Sequence, residues 1–399
     1  MFLDLLRRRN PALIDAAISL HQQQVLPANT YVLDLDTVTA NAATLSAEAH
    51  RLHLTTFAMT KQVGRNPDLC RAVIAGGIDA SVNVDMECAR ATHRAGMRIG
   101  HLGHLVQIPR AEADAAAVMR PDYWTVFTHE KAAEAAAAAH RAGHDQPLLT
   151  RVHGPGDRFY PGHEGGFDAG DILPVADRLD GLPSAHFAGI TTFPALLFDP
   201  DTGTVRATPN LATLQRTAER LRDAGRCDIQ INGPGTTSTR ALGTLADAGV
   251  TQVEPGHALT GTTPWHARVD LPELPAVCYL TEVSHSHAGR AFCYGGGLYI
   301  DPVIGDYQVR AVVGRGPGDQ QQALDATLPP PAAIDYYGQL DLPDHSRVRT
   351  GDSVVFGFRV QAFVTRAYTA GITGLSTGTP RVAGIWAASG SPATWPGGR

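Results

Sequence analysis

From residue 54 to about residue 254 the chain alternates short apolar runs, rich in β-branched and aromatic residues, with longer stretches whose apolar positions recur at helical spacing. Such alternation makes a parallel sheet with crossover helices. The runs are "LTTFAMTK" (54–61), "DASVNV" (79–84), "RIGHLGH" (98–104), "YWTVF" (123–127), "LLTRVHG" (148–154), "FAGITTF" (187–193), "DIQING" (228–233) and "TQVEPG" (251–256). Eight units in succession predict a (β/α)8 TIM barrel, α/β in class, whose chemistry gathers at the C-terminal ends of the strands. Between the runs, "DMECARATHRAG", "THEKAAEAAAAAHRAG" and "NLATLQRTAERLRDAG" read as helices stopped by Ala-Gly.

The pattern changes on both sides of the barrel. Residues 1–53 hold an apolar segment, "TYVLDLDTV" (30–38), and the helical "TANAATLSAEAHRL", read as a lead-in to a barrel spanning 54–270. After Pro275, "AVCYLTEVSHSHAGRAFCYGGGLYI" and "DSVVFGFRVQAFVTRAYTAGI" are β-rich with glycine turns and almost no helical period. They predict a C-terminal antiparallel β domain over 271–385, with a long loop at 314–335 and a flexible tail at 386–399.

Composition narrows the partners. The chain has 399 residues, 43% hydrophobic and 18% charged, with a formal charge of −6. No Lys/Arg-rich run marks a nucleic-acid or anionic membrane surface, so a small molecule is the expected ligand. No apolar stretch approaches a membrane span, and "MFLDLLRRRNPALID" places its arginines after a very short apolar patch, unlike a signal peptide. A cytoplasmic location is expected. Cys70, Cys88, Cys227, Cys278 and Cys293 lack CxxC spacing and read as reduced thiols, with no metal centre expected.

One residue raises a chemical question. In "FAMTKQVGRNP", Lys61 ends an apolar run where a buried cation is costly unless its amine is used. A desolvated lysine can serve as a Schiff-base amine. Glycine-rich turns follow other strands: "RVHGPGDR" after the fifth and "INGPGTTST" after the seventh, where backbone amides and hydroxyls can cradle phosphate.

Taken in order, these stretches resemble the fold type III pyridoxal-phosphate enzymes, the alanine-racemase-like group, and within it the YhfX-type amino-acid racemases, from about residue 30 to about residue 370. The resemblance implies pyridoxal 5'-phosphate as cofactor, bound covalently by Lys61, which also serves as one of two bases at the substrate Cα. "RVHGPGDR" is similar to the family's "KVDTGMGR" and assigns Arg158 to the cofactor's phenolic oxygen and the substrate carboxylate. Gly235, Thr236 and Thr237 become phosphate ligands. "VEPGHALTG" is similar to "VRPGIALYG", so the amides of Gly256 and His257 face the phosphate, and Glu254 stands where alanine racemase has arginine. A carboxylate there favours a protonated ring nitrogen and a stronger electron sink. "FCYGGGLY" resembles "VSYGATY" and nominates Tyr294 as the second base, supplied across a homodimer interface.

Two positions depart from the pattern. Arg65 replaces the family's tyrosine and offers a guanidinium to the phosphate, and "TTFP" places Phe193 against the ring where the family has histidine. His285 and His287 alternate on one strand face but no third metal ligand accompanies them, and the metal-binding "PxHxC" signature of related aldolases and dehydratases is missing. The expected function is an amino-acid racemase or epimerase. Decarboxylation, aldol cleavage or dehydration, and non-catalytic carriage of the cofactor, remain alternatives. Tyr160 and His163 in "YPGHEGGF" are expected near the substrate.

Overall fold

The computed structural model describes residues 1–299, 307–319, 323–330 and 332–395. The chain divides into two compact units, one of residues 43–59 and 77–256, the other of 1–42, 60–76 and 257–399.

The first unit holds the expected eight-stranded barrel, although residues 60–76 and 257–270, expected within it, fall in the other unit and 43–53 join it. Its eight strands are Thr55–Thr56, Ala80–Asn83, Arg98–Leu102, Tyr123–Val126, Gln146–His153, Ala185–Thr191, Gln230–Asn232 and Gln252–Val253. From the second strand on, each pairs parallel with the next, and the eighth pairs with the first. The ring closes through a parallel bridge between Ala58 and Ser81. Local chemistry fixes the helices between. Thr128 caps His129–Ala142 through the Lys131 amide, Gly143 ends it at φ 69°, and Ala132, Ala135, Ala136 and Ala139 form its buried stripe. Asp85 caps Met86–Arg94 in the same way.

The second unit centres on a sheet in the order Arg290–Tyr294, Tyr337–Asp341, Ala323–Thr327, Val309–Gly314, Ser353–Phe356, Val277–His287, Thr30–Asp34, Tyr368–Thr373, Arg381–Ala387. A further antiparallel pairing of Val277–His287 with Arg290–Tyr294 closes the first six strands into a barrel. The apolar faces of Pro11–Gln22, notably Leu13, Ile14 and Ile18, pack with Val32, Leu280, Val355 and Ala370.

Three segments differ from the expected organisation. Thr30–Asp34 is fully buried and pairs with Val277–His287 on one edge and Tyr368–Thr373 on the other, so it belongs to the β sheet instead of leading into the barrel. A fully buried strand needs backbone partners on both sides, and here they come from the far end of the chain. The loop expected at 314–335 contains the strand Ala323–Thr327, with 320–322 and 331 outside the described residues. Part of the expected tail folds back: Trp386 bridges Pro392, and the Ala387 amide donates to the Ser391 carbonyl; residues 396–399 lie outside the described residues. Among the described residues no helix is long and apolar enough to cross a membrane, and all five cysteines are free, four of them buried.

Candidate active site

Glu254 directly follows the eighth barrel strand and is buried. Its Oε1 accepts from His101 Nδ1 at 2.6 Å and from Asn232 Nδ2 at 3.0 Å. Asn232 Oδ1 accepts in turn from Thr191 Oγ1 at 2.7 Å, and His101 Nε2 meets the Thr125 hydroxyl. Strands three, four, six, seven and eight therefore meet in one hydrogen-bonded network. Glu254 Oε2 has no hydrogen-bond partner, although His104 Nε2 lies 3.3 Å away. Burial alone would raise the Glu254 pKa. The charges of His104 and His101 and the hydrogen bonds from His101 and Asn232 outweigh it and hold the carboxyl below its usual range.

His101, His104 and Glu254 present three ligand atoms within 4.8 Å of one another, a donor set that also suits a divalent cation. The hydrogen bonds already filling Oε1 fit an ionised acceptor held by its neighbours. Neither histidine was singled out in the sequence. The available signal was their i, i+3 spacing at the end of "RIGHLGH", at the strand end where barrel chemistry collects.

Beside this network stands an aromatic group. Phe193, at the end of the sixth strand, contacts His104 edge-on at 5.4 Å, Tyr160 at 5.6 Å and His163 at 6.3 Å. Arg158 lies apart: it is exposed, and its backbone is tied to the Asn210 side chain by two hydrogen bonds. The buried guanidinium of this region is Arg151 on the fifth strand, 1% exposed, with Phe127 and Phe159 rings 4.9 and 5.5 Å from Cζ. Burial lowers its pKa to about 10, with Glu164 pulling the other way, so it stays cationic at neutral pH.

The loop after the seventh strand is shaped for close approach. Gly235 sits at φ 159°, where an added Cβ would lie 2.4 Å from the Leu196 carbonyl oxygen. Thr236 donates its amide to that same oxygen, and Thr237 Oγ1 donates to the Gly235 carbonyl at 3.3 Å. Ser238 caps the helix Thr239–Asp247 with no side-chain capping bond, and its buried Oγ has no partner. An unpartnered hydroxyl at a helix N-terminus fits a phosphate oxygen.

Gly256 ends the barrel unit, partly buried. In the other unit, Lys61 opens a 3-10 turn, Lys61–Val63, closed by Gly64 at φ 67°. Its Nζ lies 4.7 Å from the centre of the Phe363 ring, which Arg65 also faces at 5.7 Å. His257 Nε2 donates to the Val360 carbonyl at 2.9 Å, which leaves Nδ1 to accept from Arg359 at 3.2 Å. Burial, then the charges of Arg359 and Lys61, push the His257 pKa well below 6.5. Cationic side chains around one ring make this an electropositive surface suited to an anion.

Tyr294 is 40% exposed and pairs in register with Tyr337, the rings 6.0 Å apart. His285 is exposed, stacks on Phe292 at 4.7 Å and has its Nδ1 3.1 Å from the Ser284 hydroxyl. The structure thus gathers Glu254 and Phe193 around His104, and Lys61 and Arg65 around Phe363. Tyr294 sits in a separate aromatic group.

Comparison with known proteins decides the family. The family description "Alanine racemase, N-terminal domain" matches residues 33–264, and "YhfX-like, C-terminal domain" matches 278–382. The chain belongs to the alanine-racemase-like family of fold type III. Its sequence is 39% identical over 384 residues to "Uncharacterized protein YhfX" of Escherichia coli, covering 96% of this chain and 97% of that protein. This member of the alanine-racemase-like family shares its fold with D-threonine aldolase from Filomicrobium marinum (TM-score 0.66, 19% identity, 90% and 95% of the two chains). D-threo-3-hydroxyaspartate dehydratase from Delftia sp. superposes with TM-score 0.65 at 17% identity over 90% and 97%, and alanine racemase of Clostridium difficile with 0.63 at 13% over 91% and 99%.

The buried histidines give an acid-sensitive stability. Burial lowers the His21 pKa to about 4, and His257 is held well below 6.5. Both are neutral when folded yet bind protons near 6.5 when unfolded, so their stabilisation is full above 6.5 and is lost as pH falls toward the folded values. Between pH 6.5 and 5, denaturant midpoints should fall, each group contributing up to about 1.4 kcal/mol per pH unit. His257→Gln, which keeps a donor for Val360, should flatten that slope.

Proposed function

We propose that this protein is a pyridoxal-phosphate-dependent enzyme acting at Cα of an amino acid, and specifically a racemase or epimerase. The observation that carries the reading is Glu254, a buried carboxylate kept ionised by His101, His104 and Asn232, with one oxygen unfilled. A fixed negative charge there suits a protonated ring nitrogen. When bound, the cofactor supplies an electron sink that acidifies the substrate's α-hydrogen.

The chain's residues fit such a group. Lys61 supplies the amine that holds it and one proton-transferring base. Within the barrel unit, Ser238 Oγ, the loop at Gly235, Thr237 and the Gly256 amide suit its phosphate. Phe193 offers a ring-sized apolar face. Tyr294 acts as the opposing base: two bases on opposite faces remove a proton from one side and return it to the other. Its exposure, beside the exposed rings of Tyr336 and Tyr337, supports a second copy of this chain as the neighbour that covers this surface.

Tyr294→Phe tests the assignment. The variant should keep the cofactor and lose about 10²–10⁴-fold in one direction of racemisation, far more than in the other. Equal small losses in both directions would remove Tyr294 from the chemistry. Glu254 equally serves decarboxylation or retro-aldol cleavage, and release of carbon dioxide or an aldehyde would move the assignment to those reactions.

A further inference from the structure

Arg151 stands at the lysine of the family's "KVDTGMGR", where the resemblance assigns a role only to the arginine seven residues on, Arg158. Parallel neighbours in register project to the same side of a sheet. Arg151 is in register with Thr191, and Thr191 with Asn232. Thr191 and Asn232 point into the barrel, because they bond to each other and, through Asn232, to Glu254. Arg151 therefore lies in that inward-facing row.

Its guanidinium is buried, yet Nε and Nη1 have no partner, and Nη2 reaches only the Phe193 carbonyl at 3.4 Å. Two aromatic rings, Phe127 and Phe159, hold it. Gly166 lies against the Arg151 backbone so closely that a Cβ would stand 2.5 Å from its carbonyl oxygen, bringing the loop of Tyr160 and His163 back over it. Nη2 carries two N–H groups, one toward Nε and one toward Nη1, and the single Phe193 carbonyl takes only one, so one pair of parallel donors stays open for a two-oxygen anion. Its one charged influence is the exposed Glu164, and among the described residues no carboxylate forms an ion pair with it.

We infer that Arg151, in place of Arg158, binds the carboxylate of the amino-acid substrate. The inference rests on the reading of this chain as an enzyme of amino acids, and it adds the residue that selects for a free carboxylate. Substrates with an esterified or amidated carboxyl are then excluded.

The test uses the purified full chain, with and without pyridoxal phosphate, and wild type, Arg151→Met, Arg151→Lys and Arg158→Met. Binding of malonate, acetate and inorganic phosphate is read by thermal shift and calorimetry. Malonate and acetate should stabilise wild type and Arg158→Met, while Arg151→Met weakens both about 10- to 100-fold and Arg151→Lys less. Without ligand, Arg151→Met should melt no lower than wild type, since it removes an uncompensated buried charge. Carboxylate binding retained in Arg151→Met, lost in Arg158→Met, or absent from wild type would overturn the inference. So would weakened pyridoxal phosphate binding in Arg151→Met with carboxylate binding intact, which would assign the guanidinium to a cofactor oxygen. Because the cofactor-free arm reads the anion alone, failure of the chain to bind pyridoxal phosphate leaves this result interpretable.

Discussion

Replacing Lys61 with alanine is expected to abolish covalent retention of pyridoxal phosphate and to lower turnover at least about a thousandfold. The lysine follows the first barrel strand in a tight 3-10 turn, half-buried, its amine fixed over Phe363. A side chain so placed gives up solvation and conformational freedom, a cost that the proposed covalent chemistry at the amine would account for. Reduction with borohydride followed by peptide mass mapping reads the outcome. The cofactor mass should appear on the peptide holding Lys61 in wild type and vanish in Lys61→Ala, with the circular dichroism unchanged. A modified lysine elsewhere would remove Lys61 from its role.

The second large effect concerns Glu254. Glu254→Gln keeps the volume and one acceptor for His101 but removes the charge, and should cost about 10²–10³-fold in turnover, as loss of a preorganised electrostatic contact does. Folding should survive, because Asn232 and His101 keep hydrogen-bond partners. Glu254→Ala should be worse for stability, by about 3–5 kcal/mol, since it strips the buried histidines of their carboxylate. The absorption spectrum of the bound cofactor should change in Glu254→Gln even without substrate. An unchanged spectrum with full turnover would place Glu254 in a purely structural network.

Much of this architecture was legible in the residues. Six of the eight barrel strands fall within the apolar runs, and the other two, Gln146–His153 and Ala185–Thr191, begin two residues before theirs, because buried parallel strands advertise themselves as short β-branched stretches between helical periods. Ala142-Gly143 ends its helix as local conformational preference dictates. What escaped was set by distance along the chain. The pairing of Thr30–Asp34 with Val277–His287 and Tyr368–Thr373 cannot be read from a local pattern, since an apolar run fits either sheet. The same limit hid the site's finer chemistry. Glu254 was visible as a substitution within a family motif, but its partners His101 and Asn232 come from other strands and meet it only in the closed barrel. Arg151 and Arg158 share one motif, "RVHGPGDR"; burial separates them, with Arg151 inside and Arg158 exposed.

The most direct measurement is incubation of the purified protein, loaded with pyridoxal phosphate, with separate L- and D-amino acids in deuterium oxide, following Cα deuterium and product chirality. The account predicts deuterium at Cα together with interconversion of enantiomers for at least one amino acid, both lost in Lys61→Ala. Bound cofactor with every Cα proton retained across the panel, or deuterium gained with chirality unchanged, would contradict a two-base racemase.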